Sequence, residues 1–475
     1  MVGLPDSSVR ESRDRVRSAI QNSGFPFPAH RITVNLAPAS VPKRGTWFDL
    51  PIAIGVLAAS GLLGRHEYDG LLLAGELSLD WAINSTRGVL PIALLARHHD
   101  LRLLTPPGRA LQAAAVQGLD VGALTSLSHA VDVLQDRALV RPVTVRPFQP
   151  DRGAAASGQD MSDVKGQRLA RRALEVAAAG RHNLLLVGPP GAGKPMMVKR
   201  LPGLLPATTF DEAVETTTIH SVVGLIQDDG GLLTTRPFRA PHHTASDVAL
   251  VGGGVEPRPG EVSLAHNGVL FLDEIPEFGR RALEVLRQPL EEGVVRIAHA
   301  AGVAVFPARF MLVGAMNPCP CGFAGDESRE CRCTPRQIER CPGRLSGPLR
   351  DRFDLTVSVG PVPQDALTST VGGESTLDIR QRVTRVHDRQ AARGRSEPRM
   401  SNADLSHAQL ATYCRIDRAG RLILERAISR FRLSARGFDR LRRVARTLAD
   451  LEDADTIGAS HVTEALSYRD REPGT

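Results

Sequence analysis

Between the short apolar run Asn183 to Val187 and a helix-compatible stretch, Met196 to Leu201, lies Gly188-Pro189-Pro190-Gly191-Ala192-Gly193-Lys194. A strand, a glycine loop, a lysine and a helix in that order can cradle phosphate on main-chain N–H groups. The glycines let the amides turn inward, the helix N-terminus adds positive dipole, and Lys194 brings a point charge to the β and γ phosphates. Next comes Pro195, where such a loop uses a Ser or Thr hydroxyl to ligate Mg²⁺. Proline lacks that hydroxyl, lacks a backbone N–H, and biases Lys194 away from the helical region. Losing two charge-assisted hydrogen bonds would weaken binding by about 10² to 10⁴, whereas the first turn of a helix tolerates proline. Nucleotide binding is therefore expected to survive better than hydrolysis.

Downstream, the apolar run Gly268 to Leu272 ends in Asp273 and Glu274. Asp273 is placed to hold Mg²⁺ through water, and Glu274 to polarise an attacking water. A second strand, Phe310 to Ala315, leads to Asn317, a polar group suited to sensing the γ phosphate. In Ser346 to Asp354, Arg352 offers a guanidinium that would complete a neighbouring subunit's site, since an arginine stabilises the charge of phosphoryl transfer. A structural ion pair between Asp351 and Arg352 is the competing reading.

Cys319-x-Cys321 and Cys331-x-Cys333 put four thiols on one short loop. Paired cysteines closing a loop are a zinc-like arrangement, although Cys-x-Cys is tighter than the usual Cys-x₂-Cys. The spacing leaves structural zinc, free buried thiols and redox chemistry open, with Cys341 an alternative ligand and Cys414 unrelated.

Bringing these groups to one edge requires a parallel sheet. From Val164 to about Val359 strands and helices alternate as such a sheet demands, and from Leu377 to Leu466 the pattern is helical with arginine-rich faces. Residues 1–140 mix strand-like runs (Ile32 to Leu36, Leu71 to Ala74, Leu101 to Leu104) with helical ones (Ser8 to Asn22, Pro51 to Ala59), an α+β pattern. Pro142, Pro147, Pro150 and an Ala/Gly/Ser run mark a linker at 141–160. The expected domains are thus 1–140, 161–362 and 377–470, with no repeat at solenoid periods.

Composition sets the outer limits. The chain has 475 residues, 42% hydrophobic and 23% charged, and no run approaches the ~20 apolar residues of a membrane helix. Among its basic residues only Lys43, Lys165, Lys194 and Lys199 are lysines, and the net charge is +7. Arg380, Arg382, Arg385, Arg389, Arg393, Arg395 and Arg399 crowd one segment, and Arg421 to Arg446 another. Such crowding reads either as a polyanion-binding surface or as solvated helix faces. No basic and apolar leader follows Met1, and the closely spaced thiols suit a reducing compartment, so a cytoplasmic protein without membrane contact is expected.

In Asp163-Val164-Lys165-Gly166-Gln167, the glycine loop, Arg236 to Thr244, Asn317-Pro318-Cys319-Pro320-Cys321-Gly322 and Ser346 to Asp354, the chain resembles the magnesium-chelatase-like AAA+ family of ComM and YifB proteins. The likeness runs over nearly the whole length. It implies an α/β fold: an AAA+ P-loop core with a parallel sheet, a C-terminal helical lid, and an N-terminal α+β Lon-protease-like (S5 domain 2-like) domain. It also implies ATP and Mg²⁺ as cofactors, a cytoplasmic bacterial ATPase, and assembly as a homo-oligomer, a hexamer. For the ComM branch it implies single-stranded or branched DNA as partner, in branch migration during natural transformation. By position, Arg352 becomes the arginine finger and Arg443 the sensor 2, with Arg436 a further candidate.

Arg236 to Thr244 is expected to form the insertion hairpin of this clade, with His242 and His243 as packing or loop residues rather than metal ligands. Proteolysis is not expected, because Lys43 to Asp49 holds no serine nucleophile and Gly88 to Pro91 no lysine. The family begins upstream of Val2, so the first strands of the N-terminal domain are expected to be missing. Three functions follow: a DNA-remodelling ring ATPase, a chelatase-like subunit acting without DNA, or a degenerate scaffold without turnover, which Pro195 favours.

Overall fold

Runs of four to six apolar residues make the central strands of the five-stranded sheet, because a strand covered on both faces has no use for alternation. The computed structural model describes the chain except at 40–42, 44, 86, 141–142, 144–147, 151–158, 227–230, 255–256, 300–301, 326–328, 363–371, 395–399 and 470–475. Most of the expected linker, with Arg395 and Arg399, lies outside the described residues. The rest divides into two units, one of Met1–Gln149, Thr209–Thr234 and Ala298–Val303, the other of Pro150–Thr208, Thr235–Ile297 and Ala304–Thr475.

The second unit carries a five-stranded sheet: β1 (Leu184–Val187), β2 (Phe238–Arg239), β3 (Val269–Leu272), β4 (Met311–Met316) and β5 (Leu355–Ser358). All neighbours are parallel, in the order β5-β1-β4-β3-β2. β3 and β4 are buried along their whole lengths. Register pairs Val187 with Met316 and Leu272 with Gly314. The residues that follow, Gly188, Asp273 and Asn317, therefore emerge at the same carboxyl edge, the usual ligand edge of an open α/β sheet.

Helix α1 (Arg168–Gly180) runs into β1, α2 (Lys194–Val198) follows the glycine loop, and α3 (Pro335–Gly343) follows the cysteine loop. The helical region supplies α4 (Thr376–Arg393), α5 (Arg418–Phe431), α6 (Ala435–Leu451) and α7 (Ala459–Ser467). On α6, Leu441, Val444, Ala445, Leu448 and Ala449 recur at helical spacing and share one core with Leu174 and Ala177 of α1. Each of these leucines contributes roughly 1.5–3 kcal/mol by leaving water. Polar ties fix the seam: His387 Nε2 lies 2.9 Å from the Ala178 carbonyl, Gln390 Nε2 donates to Ala179 O at 2.8 Å, and His182 Nε2 lies 2.8 Å from Thr447 Oγ1. Ser375, Asp417 and Ser434 cap α4, α5 and α6, each accepting a hydrogen bond from a first-turn N–H.

Three arginines of α4 are engaged in ion pairs. Arg382 pairs with Glu175 at 2.6 Å and with Glu374, and Arg389 with Asp453 at 3.2 Å and Asp455 at 2.8 Å. Arg393 and Arg446 both bind the fully buried Asp450. Those guanidiniums are occupied, whereas Arg385 is exposed and lies 3.9 Å from Asp453. On α5, Arg418, Arg421, Arg426 and Arg430 are exposed.

The first unit mixes strands and helices as its sequence suggests. Strands Leu71–Leu73, Arg102–Thr105 and Val121–Ala123 form a parallel sheet with helices Val89–His98 and Pro107–Ala114 between them, after helices Ser7–Asn22 and Asp49–Ala59. Ile32 to Leu36 does not form the expected strand: a single bridge links it to Val2, through Val2 N–H to Val34 O at 2.9 Å and Leu36 N–H to Val2 O at 3.0 Å. Pro28 and Pro38 flank this run, and proline cannot donate to a ladder. Among the described residues no helix is long and apolar enough to cross a membrane.

Candidate nucleotide site

Gly193 adopts φ 80°, ψ 15° and starts α2 at Lys194, a left-handed turn that glycine enters without a Cβ penalty. Pro195 sits inside the first turn of that helix, and Lys199 N–H donates to its carbonyl at 3.0 Å. The expected bias of Lys194 out of the helix is thus overruled: the Gly193 turn and the helix behind set the backbone, and first-turn N–H groups have no intrahelical partner to lose. Among the described residues the N–H groups of Gly191, Gly193 and Lys194 have no main-chain acceptor. A cradle of unsatisfied amides beside a buried cation fits a phosphate chain.

The Lys194 ammonium is buried and donates to Gly188 O at 2.7 Å, Pro189 O at 3.0 Å and Asn317 Oδ1 at 3.2 Å. Burial pushes its pKa down, while the nearby Asp273 and Glu274 carboxylates oppose that shift. The structure thereby brings together groups from the ends of β1, β3 and β4. Pro190 and Gly191 face solvent and Ala192 is buried beneath them.

Asp273 is half-buried, and its Oδ1 accepts the Glu274 N–H at 3.0 Å. Glu274 is exposed and held at φ 50°, a left-handed conformation uncommon outside glycine and often found at functional sites. Its Oε2 lies 3.5 Å from His243 Nδ1, and the His242 and His243 rings stack with centroids 4.1 Å apart. Sequence reasoning missed His243 as a partner of Glu274. The one available signal was its place just past β2, the strand beside β3. Asp273 and Glu274 are the carboxylates able to hold Mg²⁺, which when bound would neutralise phosphate charge.

Arg236 to Thr244 is not an insertion hairpin. Phe238 and Arg239 form the edge strand β2, pairing parallel with Val269 and Leu270. Arg236 donates to Pro206 O and Asn267 O at 2.8 Å, and Arg239 makes a bidentate pair with Glu261. Among the described residues Gly252–Gly253 pairs antiparallel with Arg258–Pro259, and Val294–His299 and Gly302–Pro307 form a separate two-stranded sheet.

Arg352 follows the short helix Gly347–Arg350 and binds Glu291, not Asp351, which pairs with Arg440 at 3.2 Å. Its guanidinium is held below the ordinary value, first by burial and then by Arg436, Arg287 and Arg440. Asn183, at the head of β1, donates to Arg352 O at 2.9 Å and accepts from Leu312 N–H at 2.8 Å, tying this segment to the sheet. Arg443 spends its guanidinium on Leu405 O, at 2.9 and 2.6 Å.

Beyond Asn317 the Sγ atoms of Cys319, Cys321, Cys331 and Cys333 lie within 4.8 Å of one another. Cys341 stays outside that group and donates to Asn317 O at 3.6 Å, which corrects it as an alternative ligand. Cys414 is buried in the core that the helical region shares with the sheet.

A parallel sheet ordered β5-β1-β4-β3-β2, with a glycine loop and lysine after β1, an acidic pair after β3 and an asparagine after β4, defines an AAA+ P-loop protein. The chain belongs to the YifB/ComM family of magnesium-chelatase-like proteins. Residues 160–367 match the model for magnesium chelatase, subunit ChlI; 1–108 match subunit ChlI of Mg-chelatase, and 373–469 the ChlI C-terminal region. The uncharacterized protein YifB of Escherichia coli K12 is 43% identical over 471 residues, 99% of this chain and 91% of that one. Competence protein ComM of Haemophilus influenzae is 44% identical over 476 residues, with the same coverage. The Holliday junction branch migration complex subunit RuvB of Limosilactobacillus reuteri is 26% identical over 316 residues, 63% of this chain and 76% of that one.

Proposed function

We propose that this chain is a cytoplasmic, ring-forming ATP-binding protein that couples nucleotide to the remodelling of single-stranded or branched DNA. The observation that carries the ATP reading is the convergence of the Lys194 ammonium, Asn317 Oδ1 and the Asp273/Glu274 pair beside unsatisfied loop amides. In this reading Gly188 to Pro195 wrap the phosphates, Asn317 senses the γ phosphate, and Glu274, steered by His243, orients the attacking water. Arg352 of one copy serves the site of the next, exchanging Glu291 for phosphate, and Arg443 acts from the helical region. Pro195 leaves the metal without a hydroxyl ligand, so binding outlasts turnover.

The printed names of the ComM and RuvB relatives support DNA as partner, and the exposed arginines of α5 offer cations for its backbone. The four grouped thiols support a structural Zn²⁺. Pro195 also favours a second reading, a scaffold that binds ATP without hydrolysing it. Radiolabelled ATP turnover by the natural chain and by Pro195→Thr, with and without branched DNA, separates the two. DNA-stimulated hydrolysis by the natural chain removes the scaffold reading, and no affinity for any DNA at low salt removes the DNA reading.

A further inference from the structure

The cysteine loop does not stand apart from the nucleotide site; it rests on it. Cys319 is buried two residues after Asn317, and Gly322 N–H donates to Cys319 O at 2.9 Å, closing a tight turn. Gly322 has φ 87°, and a β-carbon there would lie 2.5 Å from Pro190 Cδ and 2.8 Å from Cγ. The turn's backbone therefore packs directly on the phosphate loop. Cys341 grips the carbonyl of Asn317 from α3, so the sensor residue is held from both ends of the cysteine segment.

The four sulfurs are spaced for one shared cation. Cys319 Sγ lies 3.3 Å from Cys321 Sγ and 3.7 Å from Cys331 Sγ, and Cys321 Sγ lies 3.6 Å from Cys331 Sγ. A tetrahedron with Zn–S arms of about 2.3 Å has edges of about 3.8 Å, whereas a disulfide needs about 2.05 Å. The described residues between the two pairs place little apolar surface in any core: Gly322 is buried, but Phe323 and Ala324 are only half-buried, and Gly325, Arg329 and Glu330 are exposed. Where a segment buries so little, a bound ion can supply its order.

We propose that this four-thiolate knot is a metal-dependent clamp on the phosphate loop. With Zn²⁺ bound, the turn holds Gly322 against Pro190 and keeps Asn317 in reach of Lys194. Each thiol gives up its proton on binding, and loss of the metal frees both contacts together. The inference rests on the zinc and nucleotide readings above and adds that occupancy of one site sets affinity at the other.

The test uses the full chain under reducing conditions, with zinc content, binding of a fluorescent ADP analogue, and hydrogen exchange of the peptide spanning Gly188 to Lys194 as readouts. Removing the metal with a thiol-competing chelator is expected to weaken the analogue about tenfold and speed loop exchange, both reversed by Zn²⁺ and not by Mg²⁺. Gly322→Ala keeps four thiols and its zinc yet weakens nucleotide binding, while Cys331→Ser with Cys333→Ser loses both; circular dichroism confirms that each variant is folded. One zinc per chain, with affinity and loop exchange unchanged on its removal, overturns the clamp and leaves the zinc reading standing. Absence of zinc from the natural chain, even after incubation with it, overturns both. If the zinc-loaded chain binds no nucleotide, the ATP reading fails, and loop exchange alone decides the clamp.

Discussion

Lys194 Nζ lies 3.2 Å from Asn317 Oδ1, so the cation of the glycine loop and the polar end of β4 already share a hydrogen bond. Two loop carbonyls complete the ammonium's shell. Asn317→Ala removes the side-chain acceptor and leaves those carbonyls in place. ATP affinity is expected to stay within about fivefold of the natural chain, because one hydrogen bond is worth only about 1 kcal/mol. Any turnover should fall by about 10², the effect of removing one preorganised polar group from a reacting centre. Single-turnover kinetics beside equilibrium binding separates the two effects.

Pro195→Thr restores a hydroxyl and an N–H at the start of α2. Mg²⁺-dependent ATP affinity is expected to rise about tenfold or more, from one or two charge-assisted hydrogen bonds. Stability should move the other way by about 0.4–1 kcal/mol, since proline restricts the unfolded chain at a position whose native backbone suits it. Nucleotide titrations with and without Mg²⁺, and chemical denaturation, read the two changes.

Glu274→Gln keeps the size and removes the charge of the residue assigned to orient water. Bound ATP should be retained while turnover drops by about 10² to 10⁴. His243→Ala is expected to lower turnover without changing ATP affinity, because His243 reaches Glu274 and contacts no group of the phosphate loop among the described hydrogen bonds. Steady-state rates set against equilibrium binding check both.

Much of this site was legible because its chemistry is local. Gly188 to Lys194, the Asp273/Glu274 pair and Asn317 each follow an apolar run, and unbroken runs such as Val269–Leu272 become strands buried on both faces. The Cys-x-Cys spacing likewise announced four thiols that do gather. What the sequence hid depends on partners far along the chain. Arg389 looks like a free cation until Asp453 and Asp455 arrive beside it, and Arg352 is drawn to Glu291 rather than to the adjacent Asp351. Arg236 to Thr244 joins the main sheet because β3 offers Phe238 and Arg239 a ladder that no local pattern foretells. For Pro195 the sequence offers both what proline forbids and what a helix's first turn tolerates, and the backbone follows the second.

Asp450 is fully buried and holds Arg446, itself buried, at 3.0 Å, together with Arg393 and Asn402. Asp450→Ala leaves a buried guanidinium uncompensated and is expected to destabilise the chain by about 3–5 kcal/mol. Arg296→Ala, at a pair with Glu292 whose two side chains are both exposed, should cost about 1 kcal/mol or less. Urea denaturation followed by circular dichroism distinguishes a buried network from surface pairing.

The central claim is that unsatisfied amides and the Lys194 ammonium grip a triphosphate although proline follows the lysine. Isothermal titration of the full chain with ATP and Mg²⁺ tests it most directly, with Lys194→Ala as the paired variant. The account predicts a saturable site in the natural chain, weakened by about 10² or more in the variant, as expected for the loss of charge-assisted contacts. Absence of saturable heat in the natural chain, or the same affinity in both proteins, would contradict it.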